Sequence, residues 1–109
     1  MKNIYLLLAL VLLITACEPQ PRITPLLSTE PVTYDSDDPA IWVNPNDPAK
    51  SLIIGTDKNA DGALYVFDLQ GKIIANKVVK GLERPNNVDL GYNLPLGKDT
   101  VDFVVTTGS

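Results

Sequence analysis

Apolar positions fall into short runs separated by Asn, Asp, Gly and Pro, and from Ala40 onward every run has the length of a strand. Ala40–Val43 is apolar throughout, and Asn44-Pro45-Asn46-Asp47-Pro48 follows it with turn formers. Ser51–Thr56 predicts a second strand, and Asn59-Ala60-Asp61-Gly62 a hairpin-type turn. Ala63–Asp68 alternates, with Leu64, Val66 and Asp68 on one side and Ala63, Tyr65 and Phe67 on the other. Leu69-Gln70-Gly71 turns the chain again, and Lys72–Val79 predicts a fourth strand. Gly81–Pro85 reads as a loop. Asn87–Tyr92 and Thr100–Thr107 predict two more strands, with Asn93–Asp99 between them. No segment carries a helical period.

Four consecutive strands joined by tight turns form an antiparallel meander, the unit of a propeller blade. A faint internal repeat agrees with this. An offset of 50 places Asp37 on Asn87 and Trp42 on Tyr92. An offset of 51 places Ile53-Ile54-Gly55-Thr56 on Val104-Val105-Thr106-Thr107. The expected fold is all-β, a β-propeller, with about one and a half blades in this chain. One and a half blades cannot close a ring, so the chain is expected to be a fragment of a longer protein.

The N-terminus follows another pattern. Met1-Lys2-Asn3 is a short positive start, Ile4–Ile14 is almost wholly apolar, and Ile14-Thr15-Ala16-Cys17 closes it. The apolar stretch has the length of a secretory signal and is short for a membrane span. Its ending resembles the lipobox of bacterial lipoproteins, in which the cysteine carries the lipid; an ordinary signal peptide with a chance cysteine is the plainer alternative. Residues 1–16 are expected as signal peptide. Residues 17–33, with Pro19, Pro21, Pro25 and Pro31, are expected as a Pro-rich tether, and 34–109 as the partial propeller. The expected location is the bacterial envelope, anchored through Cys17, in the outer membrane where the cell has one.

Composition narrows the chemistry. The 109 residues include no histidine, which excludes Ser-His-Asp triads, histidine metal sites and phosphohistidine routes. The lone cysteine rules out an internal disulfide. A formal charge of -4 argues against nucleic acid as partner. Against this background Asp35-Ser36-Asp37-Asp38-Pro39 stands out, because crowded carboxylates repel unless a hard cation turns the repulsion into coordination. Asp37, Asp38 and a nearby carbonyl such as that of Pro39 suit calcium; the same residues also suit a solvated acidic turn capping an edge strand. Asn86-Asn87-Val88-Asp89 offers further oxygens one repeat later. Lys58, in Thr56-Asp57-Lys58-Asn59, could meet an anion held at such a cation, or be a solvated lysine on a hairpin, with Asp57 and Asp61 on the solvated face of the loop.

These blocks resemble the N-terminal part of the calcium-dependent β-propeller phytases, from about Thr29 to Thr107. The likeness is carried by Thr29-Glu30-Pro31-Val32, Asp37-Asp38-Pro39-Ala40-Ile41-Trp42, the Lys58 turn, Tyr65–Gly71 and Asn86-Asn87-Val88-Asp89. The resemblance implies a six-bladed propeller with calcium ions at one end of its channel, where they bind phosphates and activate a water that attacks phosphorus directly. It implies Asp37, Asp38, Pro39 and Val88 as metal positions, with Asn87 and Asp89 beside them, and Lys58 as a phosphate contact. Asn59 stands where some relatives have a second lysine. The expected protein is therefore a monomeric, calcium-dependent phosphomonoesterase acting on phytate. The alternative is a non-catalytic, calcium-stabilised propeller lipoprotein that binds a surface or glycan partner.

Overall fold

The structure, a computed structural model, describes residues 19–108. Its six strands are β1 (Ser36–Trp42), β2 (Leu52–Asp57), β3 (Gly62–Phe67), β4 (Val79–Leu82), β5 (Val88–Leu96) and β6 (Asp99–Thr106). The first four form one antiparallel sheet in chain order, and β5 pairs with β6 in a second. Among the described residues there is no α-helix, and two short 3-10 turns complete the inventory. The all-β meander expected from the apolar runs is what the chain forms.

Local chemistry explains the connections. Between β1 and β2, Asn44 Oδ1 accepts the N–H groups of Asn46 and Asp47, and the Asp47 carboxylate accepts that of Ala49. Proline at the first position of the turn Pro48–Lys50 has no N–H to leave unpaired. Ser51, buried, closes the corner by donating to the Pro48 carbonyl at 2.7 Å and accepting the Asn44 N–H. The β5–β6 hairpin turns through Gly97 and Lys98, and Gly97 supplies the positive φ (64°) that a two-residue hairpin needs.

Three boundaries differ from the sequence reading. The fourth strand, expected at Lys72–Val79, lies at Val79–Leu82; Ile73 makes one isolated bridge to Phe67, and Ala75–Lys77 is a 3-10 turn. The cause is side-chain competition for backbone donors. The Asp68 carboxylate takes the N–H groups of Gln70 and Lys72, and that of Glu30 takes the Ile73 N–H at 2.7 Å. Most of Asn93–Asp99, expected as a connection, is strand, because β5 continues to Leu96 through an irregularity at Asn93 (φ 58°). The first strand begins at Ser36, four residues ahead of Ala40, so Asp37 and Asp38 lie inside it.

The core sits between the two sheets. Ile54, Leu64, Val66 and Val88 are buried, with Ala40, Trp42, Leu52, Ile74, Leu82 and Leu90 packed around them. A polar contact joins the sheets at the rim: Trp42 Nε1–H donates to Asp102 at 2.7 Å. That bond, and then the N–H of Asn93, hold the Asp102 carboxyl below the ordinary aspartate range. The sheets also share a register. The pairs Pro39–Gly55, Ala40–Ile54 and Ile41–Ile53 of the first ladder become Asp89–Val105, Leu90–Val104 and Gly91–Phe103 of the second when 50 is added to each number. One offset of 50 therefore relates both strands, and the 51 read from the second apolar run is corrected by the register.

Candidate functional site

The acidic stretch owes its geometry to a β-bulge. Ser36 pairs with Asp57 and Pro39 with Gly55, so Asp37 and Asp38 together stand against Thr56 alone. A bulge re-aims side chains that a regular strand would send to opposite faces. Here the two carboxylates acquire different partners. Asp37 forms an ion pair with Lys58 at 3.4 Å, both side chains partly exposed. Asp38 accepts the Val88 N–H from the second sheet at 2.9 Å, while its own N–H donates to Thr56 Oγ1 at 2.9 Å. Proline is tolerated just after the bulge because β1 lies at the edge of its sheet.

Lys58 opens the tight β2–β3 connection. Gly62 ends that connection against the carbonyls of Asp57 and Asn59, so close that a side chain there could not be accommodated. Asn59 shapes the same turn: its side chain accepts the Asp61 N–H, and its carbonyl accepts that of Arg84. Asn87 is exposed; its N–H approaches Thr107 Oγ1 at 3.4 Å, and its carbonyl accepts the Thr107 N–H. Exposed Asp89 bonds the N–H of its neighbour Leu90. The structure thus brings Asp37 to Lys58 and Asp38 to Val88, whereas among the described residues the side chains of Asn87 and Asp89 make no hydrogen bond or ion pair with either pair. An open cavity of ≈ 440 Å³ lies beside the bulge, with Asp37, Asp38, Thr56, Tyr34 and Glu30 in its wall. Cys17 and residues 1–16 lie outside the described residues.

The chain reaches the bulge along an anchored segment. Glu30 donates its N–H to the Gly71 carbonyl at 2.7 Å, and the Thr33 and Tyr65 hydroxyls meet at 2.6 Å. The Ile73 N–H, opposed by partial burial and helped by Lys72, holds the Glu30 carboxyl below the ordinary glutamate range. Asp57 then accepts the N–H groups of Tyr34 and Asp35. The solvated loop face that the sequence left open for Asp57 is not what forms; the residue is buried at 1% exposure. The one hint in the sequence was that the apolar run Leu52–Thr56 continues directly into it.

A family model described as Phytase matches residues 8–109. The chain belongs to the phytase family. A 3-phytase of Bacillus subtilis (strain 168) is 37% identical over 89 residues, which cover 79% of this chain and 22% of that protein. The chain thus spans about a fifth of the length of that curated relative. No solved structure matches. In the phytase family's β-propeller, β1–β4 is one blade and β5–β6 opens another.

Calcium takes six to eight oxygen ligands. The two carboxylates of the bulge are donors of the right kind and number for one edge of such a shell. Among the described residues no three acidic side chains stand together as a metal site. The donor set fits a partial site.

Proposed function

We propose that this phytase-family chain supplies one wall of the active site of a calcium-dependent phosphomonoesterase acting on phytate. The observation that carries this reading is the ion pair of Asp37 with Lys58 inside the bulge that also presents Asp38. A polyanionic substrate is repelled by an acidic chain unless fixed positive charge receives it. Lys58 is a mobile point charge suited to a phosphate oxygen. Asp37 holds the ammonium at the site when no phosphate is present. Asp38, tied to both sheets, presents the carboxylate oxygen that Val88 does not occupy. Pro39 and Val88 offer carbonyls, and Asn87 and Asp89 flank them. Bound calcium would supply charge that draws in the phosphates and polarises the bond to be broken.

The same reading takes the protein to be a monomer carried at the bacterial envelope by a lipid on Cys17. A Cys17→Ser change should move it from the membrane to the soluble fraction, and unchanged membrane association would refute the anchor.

The catalytic reading is tested on the full-length protein by phosphate release from phytate. A chelator should abolish release and added calcium restore it. Release that ignores the chelator overturns the calcium mechanism. Calcium binding without release turns the reading to a non-catalytic propeller.

A further inference from the structure

The carboxylate of Asp57 is buried, and nothing in the catalytic reading uses it. Its Oδ1 accepts the Asp35 N–H at 2.7 Å and its Oδ2 the Tyr34 N–H at 3.1 Å. With both oxygens occupied by backbone donors, a buried carboxylate keeps much of the solvation it gave up. The next residue is Lys58, and its own N–H donates to the Asp35 carbonyl at 2.8 Å. Asp57 and Lys58 therefore grip Tyr34 and Asp35 by three hydrogen bonds. Two residues beyond that grip, the Asp37 carboxylate meets the Lys58 ammonium. The bulge lies between the grip and Pro39, and a bulge bends its strand and re-aims its side chains, so where the strand enters it decides where they stand. The bonds to Asp57 determine where the strand enters the bulge.

We propose that Asp57 is a positioning residue, resting on the proposed function above: it sets where Asp37 stands relative to Lys58, and so tunes the affinity of this wall for calcium and for phosphate. It touches neither reacting group. It acts through the backbone of Tyr34 and Asp35.

The test compares the full-length wild type with Asp57→Asn and Asp57→Ala. Asparagine keeps the shape and one acceptor oxygen but turns an N–H₂ toward a backbone donor, so it loosens the grip without opening a cavity. Amide hydrogen exchange should accelerate at Tyr34 and Asp35 in both variants. Calcium affinity, titrated with the metal alone, should weaken by about 10- to 100-fold, the range seen when outer partners of ligands are lost. KM for phytate should rise while kcat changes by less than about threefold, because a displaced lysine weakens binding of substrate and transition state alike. A merely structural Asp57 would give a lower unfolding midpoint with unchanged calcium affinity and unchanged KM, and that result overturns the proposal. Where Asp57→Ala does not fold, Asp57→Asn decides. A wild type that binds calcium and releases no phosphate removes the catalytic reading, whereas calcium titration and amide exchange still decide the role of Asp57.

Discussion

In the first sheet the N–H of Asp38 is taken by Thr56 Oγ1 on the neighbouring strand, at 2.9 Å. In the second sheet the residue at the same place is Val88, 50 positions on, and its N–H leaves the sheet for the Asp38 carboxylate, also at 2.9 Å. Thr106 stands where Thr56 stands, and its hydroxyl is buried with no hydrogen-bond partner among the described residues. The ladders share their register through the three pairs from Pro39–Gly55 to Ile41–Ile53, yet their polar groups are settled differently. The difference comes from one side chain. Position 38 carries a carboxylate that can reach across, and position 88 carries valine, which cannot.

This asymmetry ties the two sheets together beside the proposed site. Were position 38 apolar as well, the Val88 N–H would lose its acceptor, and the sheets would meet through the apolar packing of Ile54, Val66, Val88 and Leu90 with the Trp42–Asp102 bond at the rim. Apolar contact fixes a distance between sheets but tolerates sliding, because it is not directional. The Asp38–Val88 bond is directional, and it pins the start of β5 to the bulge of β1. It also engages one oxygen of Asp38 before any ligand arrives.

The largest effect should follow from breaking that bond. In the full-length protein, Asp38→Ala leaves the buried Val88 N–H without an acceptor, at a cost of about 1–3 kcal/mol. It also removes a carboxylate proposed to face calcium. Phosphate release should fall at least as far as the roughly 10–100-fold expected from losing an outer partner of a metal ligand. Asp38→Asn separates the two roles. It retains an acceptor for Val88, so the urea midpoint should stay close to wild type while calcium affinity drops. Equal calcium affinity in wild type and Asp38→Asn would show that Asp38 is a bracket between sheets and no more.

What the sequence disclosed about these sheets follows the range of the interactions. The meander was legible because its signals are local: the alternation through Leu64 and Val66, and the Asn and Gly residues at the turns. The position of β4 was hidden, because Glu30, more than forty residues upstream, takes the backbone donor of Ile73. The bulge was hidden for a related reason. Asp37 and Asp38 are adjacent in any conformation, and only the pairing of Ser36 with Asp57 and Pro39 with Gly55 sets them both against Thr56. Asp57 read as a loop residue because its partners, the N–H groups of Tyr34 and Asp35, lie more than twenty residues away. Crowded charge drew attention to Asp37, Asp38 and Lys58, and resemblance to a family gave them expected roles. It carried no information about what holds them in place, which is the part that residues of this chain supply for themselves.

The finest test of the comparison uses the two threonines. Thr56→Val and Thr106→Val make the same change at the same register position of the two sheets: a hydroxyl becomes a methyl of nearly equal volume. At Thr56 the change strips the acceptor from the Asp38 N–H and should cost about 1–3 kcal/mol, read as a lowered urea midpoint at constant slope. At Thr106 no hydrogen bond is lost, and an unpartnered buried hydroxyl is removed. That change should be neutral or stabilising by up to about 1 kcal/mol. Calcium affinity should fall with Thr56→Val, because Asp38 then loses its tie to β2, and should hold with Thr106→Val. Similar losses from both substitutions would mean that the sheets are equivalent after all, and that the Asp38–Val88 bond does not divide their roles.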